Sequence, residues 1–109
     1  MGKFEIKKTK SGLFKFDLKA TNGQVILSSQ SYKSKASCVK GVNSVINNSA
    51  DDHRFERNTA KDGSPYFNLK ASNGQIIGTS EMYSNTTGME NGIASVKKNA
   101  AGAAVEEKF

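Results

Sequence analysis

The sequence predicts an α+β domain: two tandem β-β-β-α repeats joined in one antiparallel sheet, two helices on one face, and a pseudo-twofold axis between the copies. Three observations carry this. Shifted by 51 positions, the chain aligns with itself without a gap, and 19 of 47 residue pairs over positions 4 to 50 are identical. Self-similarity at a fixed offset marks a duplication. Within each copy, apolar residues first alternate with a period of two and then switch to a helical period. Asn-Gly recurs at the same place in both copies, at 22–23 and 73–74.

In the first strand, Phe4 and Ile6 alternate with Lys3, Glu5 and Lys7. In the second, Phe16, Leu18 and Ala20 alternate with Asp17 and Lys19, and Phe67, Leu69 and Ala71 repeat the pattern against Asn68 and Lys70. Asn22-Gly23 and Asn73-Gly74 fit type I′ hairpin turns, which need two residues tolerant of positive φ. Third strands follow at Gln24–Ser29 and Gln75–Ser80. Then Cys38, Val42, Val45 and Ile46 fall on one helical stripe, as do Met89, Ile93 and Val96. Ser34 and Asn85 stand where N-caps belong, and Asn48 and Asn99 suit the left-handed residue that ends a helix.

A three-stranded sheet under one helix buries too little to be stable alone. The two copies must therefore share a core, as one domain over 1–109 made of repeat one (1–51) and repeat two (52–109). No Pro- or Gly-rich linker parts them, since Asp51 to Arg54 runs almost directly into Phe55. The expected molecule is a monomer that mimics a dimer of single repeats.

The repeated block Phe-x-Leu-Lys-Ala-x-Asn-Gly-Gln-x-Ile, with Gly-Val/Ile-x-Ser-Val on the helix, resembles the YegP-like family of small uncharacterised bacterial proteins, in its tandem branch. The resemblance covers nearly the whole chain. It implies a β3-α-β unit whose C-terminal strands are exchanged between copies, giving His53 to Thr59 and Ala104 to Phe109 a swapped-strand role. The family carries no established activity to transfer.

Composition excludes several classes. No run of about 18 apolar residues exists to cross a bilayer, and the N-terminus enters a strand pattern at once, without the apolar core of a secretory signal. A cytoplasmic address follows as the expectation. One cysteine and one histidine leave no internal disulfide and no multi-ligand metal centre. No phosphate-binding glycine loop occurs, so no cofactor and no metal are expected.

Few residues invite chemistry. Cys38 aligns with Met89, so the position reads as a packing site. His53 aligns with Ala104 among the polar residues of a turn. Ser37-x-x-Lys40 and Ser95-x-x-Lys98 match an acyl-transfer spacing, but a chain with this much serine and lysine yields such pairs by chance. Gly41 and Gly92 say more. Glycine inside a helix costs about 1 kcal/mol relative to alanine, and here it recurs at the same repeat position. Ser44 and Ser95 extend the small stripe. Close packing explains the pattern, and a ligand groove between the helices is the functional alternative.

Charge is lopsided. Residues 1–51 carry nine lysines and three acids, net +6, and residues 52–109 carry seven basic and seven acidic residues, net zero. Strand parity puts Lys3, Lys7, Lys15 and Lys19 on the face opposite Phe4, Phe16 and Leu18, a surface for a nucleic acid or other polyanion. Against this, the aromatics point inward apart from Tyr66, where base-stacking sheets show them outward, and arginine is confined to Arg54 and Arg57. The leading expectation is a non-catalytic binding or interaction module without membrane contact. A weak, sequence-independent polyanion binder is the alternative, and an enzyme stands third, with no catalytic residue to name.

Overall fold

A computed structural model describes residues 2–109. The elements run β1 (Lys3–Lys8), β2 (Phe14–Lys19), β3 (Val25–Ser28), α1 (Lys35–Asn48), a 3-10 turn (Asp52–Arg54), β4 (Phe55–Thr59), β5 (Pro65–Lys70), β6 (Ile76–Thr79), α2 (Thr86–Ala100) and β7 (Ala104–Glu107). All seven strands join one sheet in the order β4-β5-β6-β3-β2-β1-β7. The two repeats meet at β3 and β6, where Ser28 pairs with Thr79. These two residues occupy the same repeat position, so the pseudo-twofold axis passes between them.

Both helices cover one face. α1 lies across β2, β5 and β6, and α2 across β5, β1, β2 and β3, so each helix spans both halves. The core between helices and sheet holds Phe4, Ile6, Phe16 and Leu18 from repeat one and Phe55, Phe67 and Leu69 from repeat two. Cys38, Val42 and Val45 of α1 and Met89, Ile93 and Val96 of α2 cover them, all buried. Phe4 meets Phe16 edge-on at 5.7 Å, and Phe55 meets Phe67 at the same distance. At the axis the symmetry yields to space. A Cβ on Gly78 would stand 2.7 Å from Leu27 Cγ, so one large side chain fills what two could not share.

Three expectations change. The sheet is mixed, not wholly antiparallel: β7 runs parallel to β1, from Lys3 opposite Ala104 to Ile6 opposite Glu107. A strand that returns through a helix is free to pair in parallel, whereas one that follows a tight turn is not. The Asn-Gly turns are three-residue loops rather than type I′ turns. Ala20 N donates to Gln24 O and Gly23 N to Ala20 O, both at 2.9 Å. Only the glycine is left-handed, with φ 86° at both Gly23 and Gly74. Asn22 instead accepts from Gln24 N through Oδ1 at 3.0 Å, a side-chain closure of the turn.

Asn48 and Asn99, finally, are not left-handed helix ends, since among the described residues only glycines have positive φ. Each reaches back a turn: Asn48 Nδ2 donates to Ser44 O at 2.8 Å and Ser44 Oγ at 3.2 Å. Asn99 does the same to Ser95, at 2.8 and 3.1 Å. Gly102, φ 71°, takes the left-handed place after α2. The N-caps are as the sequence indicates, with Ser34 accepting from Ser37 N and Asn85 from Gly88 N.

Candidate functional site

Three regions hold the residues that the sequence singles out. The first is the sheet face away from the helices. Glu5 of β1 and Asp17 of β2 sit directly opposite each other, each only 5% exposed. Two carboxylates in register repel, and lysines bind them. Lys19 Nζ lies 3.0 Å from Glu5 and Lys3 Nζ 3.5 Å, while Lys7 Nζ lies 2.9 Å from Asp17. Ser28 Oγ also donates to Asp17 at 2.8 Å. The hydrogen bond from Lys19, with the charges of Lys19 and Lys3, holds the Glu5 carboxyl below its usual range. Burial opposes ionisation of Asp17, but Lys7, Ser28 and the charge of Lys15 outweigh it and lower its pKa as well.

Repeat two has a lighter version of the same array. Asn68 stands at the place of Asp17, accepts from Thr79 Oγ1 at 2.8 Å and donates to Glu56 at 3.1 Å. Lys70 Nζ lies 2.7 Å from Glu56, whose pKa falls to about 2, chiefly through that hydrogen bond and those from Asn58 and Asn68. The extra acid of repeat one thus accompanies its extra lysines. Of Lys3, Lys7, Lys15 and Lys19, all but Lys15 hold an ion pair. Strand parity places Glu5 and Asp17 on the face of the lysines, and the β1–β2 register decides which of them meet.

The second region is the glycine stripe. A Cβ on Gly41 would stand 2.8 Å from Tyr32 Cζ and 3.0 Å from Phe16 Cε2, and one on Gly92 would stand 2.6 Å from Tyr83 Cζ. Each glycine backs onto a tyrosine whose ring lies parallel to, and offset from, a phenylalanine: Tyr32 with Phe16 at 6.3 Å, Tyr83 with Phe67 at 6.2 Å, both at 13°. The missing side chain of the glycine therefore lets the helix approach the aromatic rings on the sheet. Ser44 and Ser95 take the asparagine bonds described above.

The third region emerges only in three dimensions. Three clefts, of about 360, 200 and 330 Å³, all have Ala20 in their walls, at the β2–β3 turn of repeat one. The first runs between that turn and α2, past Ser95 and Lys98; the second adds Tyr83 and Gly92; the third opens toward Gly2, Lys3 and Glu106. Gly92 and Ser95 thus share a cavity with the opposite repeat's turn, while Gly41 and Ser44 line none of the three. Nothing in the sequence points to this meeting, because it depends on α2 crossing to the other half.

The remaining candidates sit apart. Cys38 is buried, and burial raises its thiol pKa. The His53 ring is almost wholly exposed, 3.3 Å from Asp51 Oδ1. Ser37 serves the α1 cap. Among the described residues no three His, Cys, Asp or Glu side chains gather as metal ligands, and no helix is long and apolar enough to cross a membrane.

The repeat geometry has counterparts among known proteins. The family described as a domain of unknown function, DUF1508, matches this chain twice, over residues 10–56 and 60–107. The chain belongs to that family. The first match ends just inside β4 and the second with β7, so both family units close on the strand that follows their helix. UPF0339 protein YegP of Shigella flexneri is 50% identical over 106 residues, 97% of this chain and 96% of its own length. A UPF0339 protein of Acinetobacter baylyi is likewise 50% identical over 106 residues, with the same shares of each chain. The solution structure of YegP from E. coli, described as a protein of unknown function, superimposes with a TM-score of 0.94 at 48% identity, covering 98% of this chain and 92% of YegP. That of a UPF0339 protein from Shewanella oneidensis gives 0.92 at 46%, covering 97% and 90%. These relatives share the duplicated α+β fold, and no function is established for them.

Proposed function

We propose that this protein is a non-catalytic binding module of the cytoplasm whose recognition surface centres on the Ala20–Gly23 turn. The observation that supports it is the convergence of three clefts on one turn. Their walls offer amide and hydroxyl groups from Asn22, Ser95 and Asn99, with Lys98 beside the first cleft and the paired Lys3 and Glu106 beside the third. Such walls suit a small polar ligand that carries a negative group. The ionisable groups argue for binding over catalysis. A general acid or base is tuned toward neutrality, yet Glu5, Asp17 and Glu56 are all driven the other way, into permanent charge. The Cys38 thiol is pushed toward its neutral, unreactive form.

Amide chemical shifts of the intact protein, followed during titration with a panel of polar anionic metabolites, test this reading. Changes should be confined to Ala20–Gly23 and the facing turn of α2. Ala94→Arg, which fills the first cleft from an exposed position, should abolish them. A panel without effect, or shifts unchanged by Ala94→Arg, would overturn the proposal.

A second reading, a polyanion surface at Lys3, Lys7, Lys15 and Lys19, is favoured by their common face. Ion pairs to Glu5 and Asp17 already offset much of that charge, so an arriving phosphate would compete with them. Binding to heparin or DNA should then be weak and fall steeply with salt, by about 0.9 log units per contact for each tenfold rise on duplex DNA. If low-salt titration shows no binding, this surface serves solubility.

A further inference from the structure

β1 and β4 are the same strand in two repeats, yet only one is covered. β7 lies along the outer edge of β1, and Lys108 N donates to Ile6 O at 2.8 Å. β4 is the opposite end of the sheet. The axis that carries β1 onto β4 carries β7 onto the space beside β4, an eighth strand position that none of the described residues fills. Backbone groups alternate in direction along an antiparallel pair. Arg57, the counterpart of Ile6, therefore turns its N–H and C=O outward, as Ile6 turns its own toward β7.

We propose that this edge accepts an extended acidic segment of a partner protein, running parallel to β4 as β7 runs along β1. The covered edge supplies the template for the occupant. β7 sets Glu107 opposite Ile6 and Glu106 opposite Glu5, with Lys3 Nζ 3.5 Å from both Glu5 and Glu106. Transferred to β4, the first acid falls opposite Arg57 and the second opposite Glu56, the same placement that Glu106 and Glu5 share on β1 with Lys3 between them; Arg54 is the counterpart of Lys3. Arg57 is already oriented: Nε lies 2.6 Å from Glu90 Oε2, and Nη2 lies 3.0 Å from Glu90 Oε1 and 3.2 Å from Asp52 Oδ1. Its side chain stays 35% exposed, so an added carboxylate meets a fixed guanidinium rather than a mobile one.

The same residue selects against other occupants. Full overlap of two β4 strands about a twofold axis centres on Arg57 and sets one guanidinium against the other, a like-charge contact. A charge on an edge strand blocks indiscriminate pairing, and the complementary charge is what lifts the block.

The test uses the intact protein and a synthetic peptide with the sequence of Gly102–Phe109, followed by amide shifts and hydrogen exchange. Shifts and slowed exchange should appear at Phe55–Thr59. Arg57→Gln should weaken binding about tenfold, the value of a charge-assisted hydrogen bond, and Arg57→Lys should weaken it less. A peptide carrying Glu106→Lys and Glu107→Lys should not bind, a control that leaves the protein unaltered. The proposal fails if β4 is silent at millimolar peptide, or if shifts appear on β1 because the peptide displaces β7. It fails equally if the charge-reversed peptide binds as well, or if the protein pairs with itself through β4 instead.

Discussion

Phe16 stacks on Tyr32 beneath Gly41, and Phe67 stacks on Tyr83 beneath Gly92, with distances that agree to 0.1 Å. Ile6 and Arg57 occupy corresponding places in β1 and β4 and share no property. The interior of the two repeats is duplicated, and the rim is not. Most interior positions meet the same neighbours in both copies, so the same or similar residues serve, with Leu27 and Gly78 at the axis the exception. Rim positions meet β7 on one side and solvent on the other. The cause lies in the short Ser49–Arg54 connection between α1 and β4. It has no room for both a strand closing the first repeat and a strand opening the second. β4 does both tasks, and one edge stays bare.

That difference can be broken by exchanging its residues. Ile6 is 0% exposed, so Ile6→Arg buries a charge without a partner. It should cost about 3 kcal/mol or more, read as a drop in the urea midpoint. Arg57→Ile removes an ion-paired residue from an open edge and should shift stability by about 1 kcal/mol or less. Equal effects from the two exchanges would mean that β7 does not seal β1. The second variant should also self-associate more readily, because the charge that protects the edge is gone.

The likeness of the interiors can be sharpened with the glycines. Gly41→Ala and Gly92→Ala each drive a Cβ into a stacked tyrosine. Overpacking of this kind costs about 1–3 kcal/mol, partly offset by about 1 kcal/mol of better helix propensity. The two variants should lose stability by similar amounts. A clear inequality in denaturant unfolding would show that the ring stacks differ in rigidity despite their matching geometry.

What the sequence reveals divides along the same line. Alternation at Phe16, Leu18 and Phe67, Leu69, the helical stripes, the N-caps at Ser34 and Asn85 and the duplication are all local or periodic, and the structure has them as read. The parallel pairing of β7 is not local: Val105-Glu106-Glu107 has too few apolar residues to declare a strand, and its partner is a hundred residues away. The asparagines mislead for a different reason. Asn at a helix end and Asn before Gly both suit positive φ, but Asn48 and Asn22 found hydrogen bonds in ordinary conformations, which cost less. Clefts at Ala20–Gly23 were illegible because a turn of one repeat meets the helix of the other. The Lys3, Lys7, Lys19 cluster was half legible: parity gave its face, and only the Glu5–Asp17 register explains its number.

The same comparison reaches the open face, where the expected effect at neutral pH is smallest. Asp17 and Asn68 stand at equivalent positions and take equivalent hydrogen bonds, from Ser28 Oγ and Thr79 Oγ1, both at 2.8 Å. Asp17→Asn therefore keeps that bond and loses only the ion pair to Lys7, whose head is 42% exposed. Pairs this open to water contribute about 0–1 kcal/mol, so stability at pH 7 should barely change. Behaviour in acid should change more. The Asp17 carboxyl is lowered in the folded protein, so its contribution is present above the unfolded-state pKa, near 4, and is lost as pH falls through the folded value. Glu5 and Glu56 follow the same sign. The native protein should lose stability from about pH 4 downward, toward the Glu56 value of about 2. Asp17→Asn should flatten part of that slope and leave the Glu56 part intact. Urea midpoints measured from pH 7 to pH 2 for both proteins decide the matter. If the two curves are parallel throughout, Asp17 is not held charged by Lys7 and Ser28, and the open face of repeat one works no differently from that of repeat two.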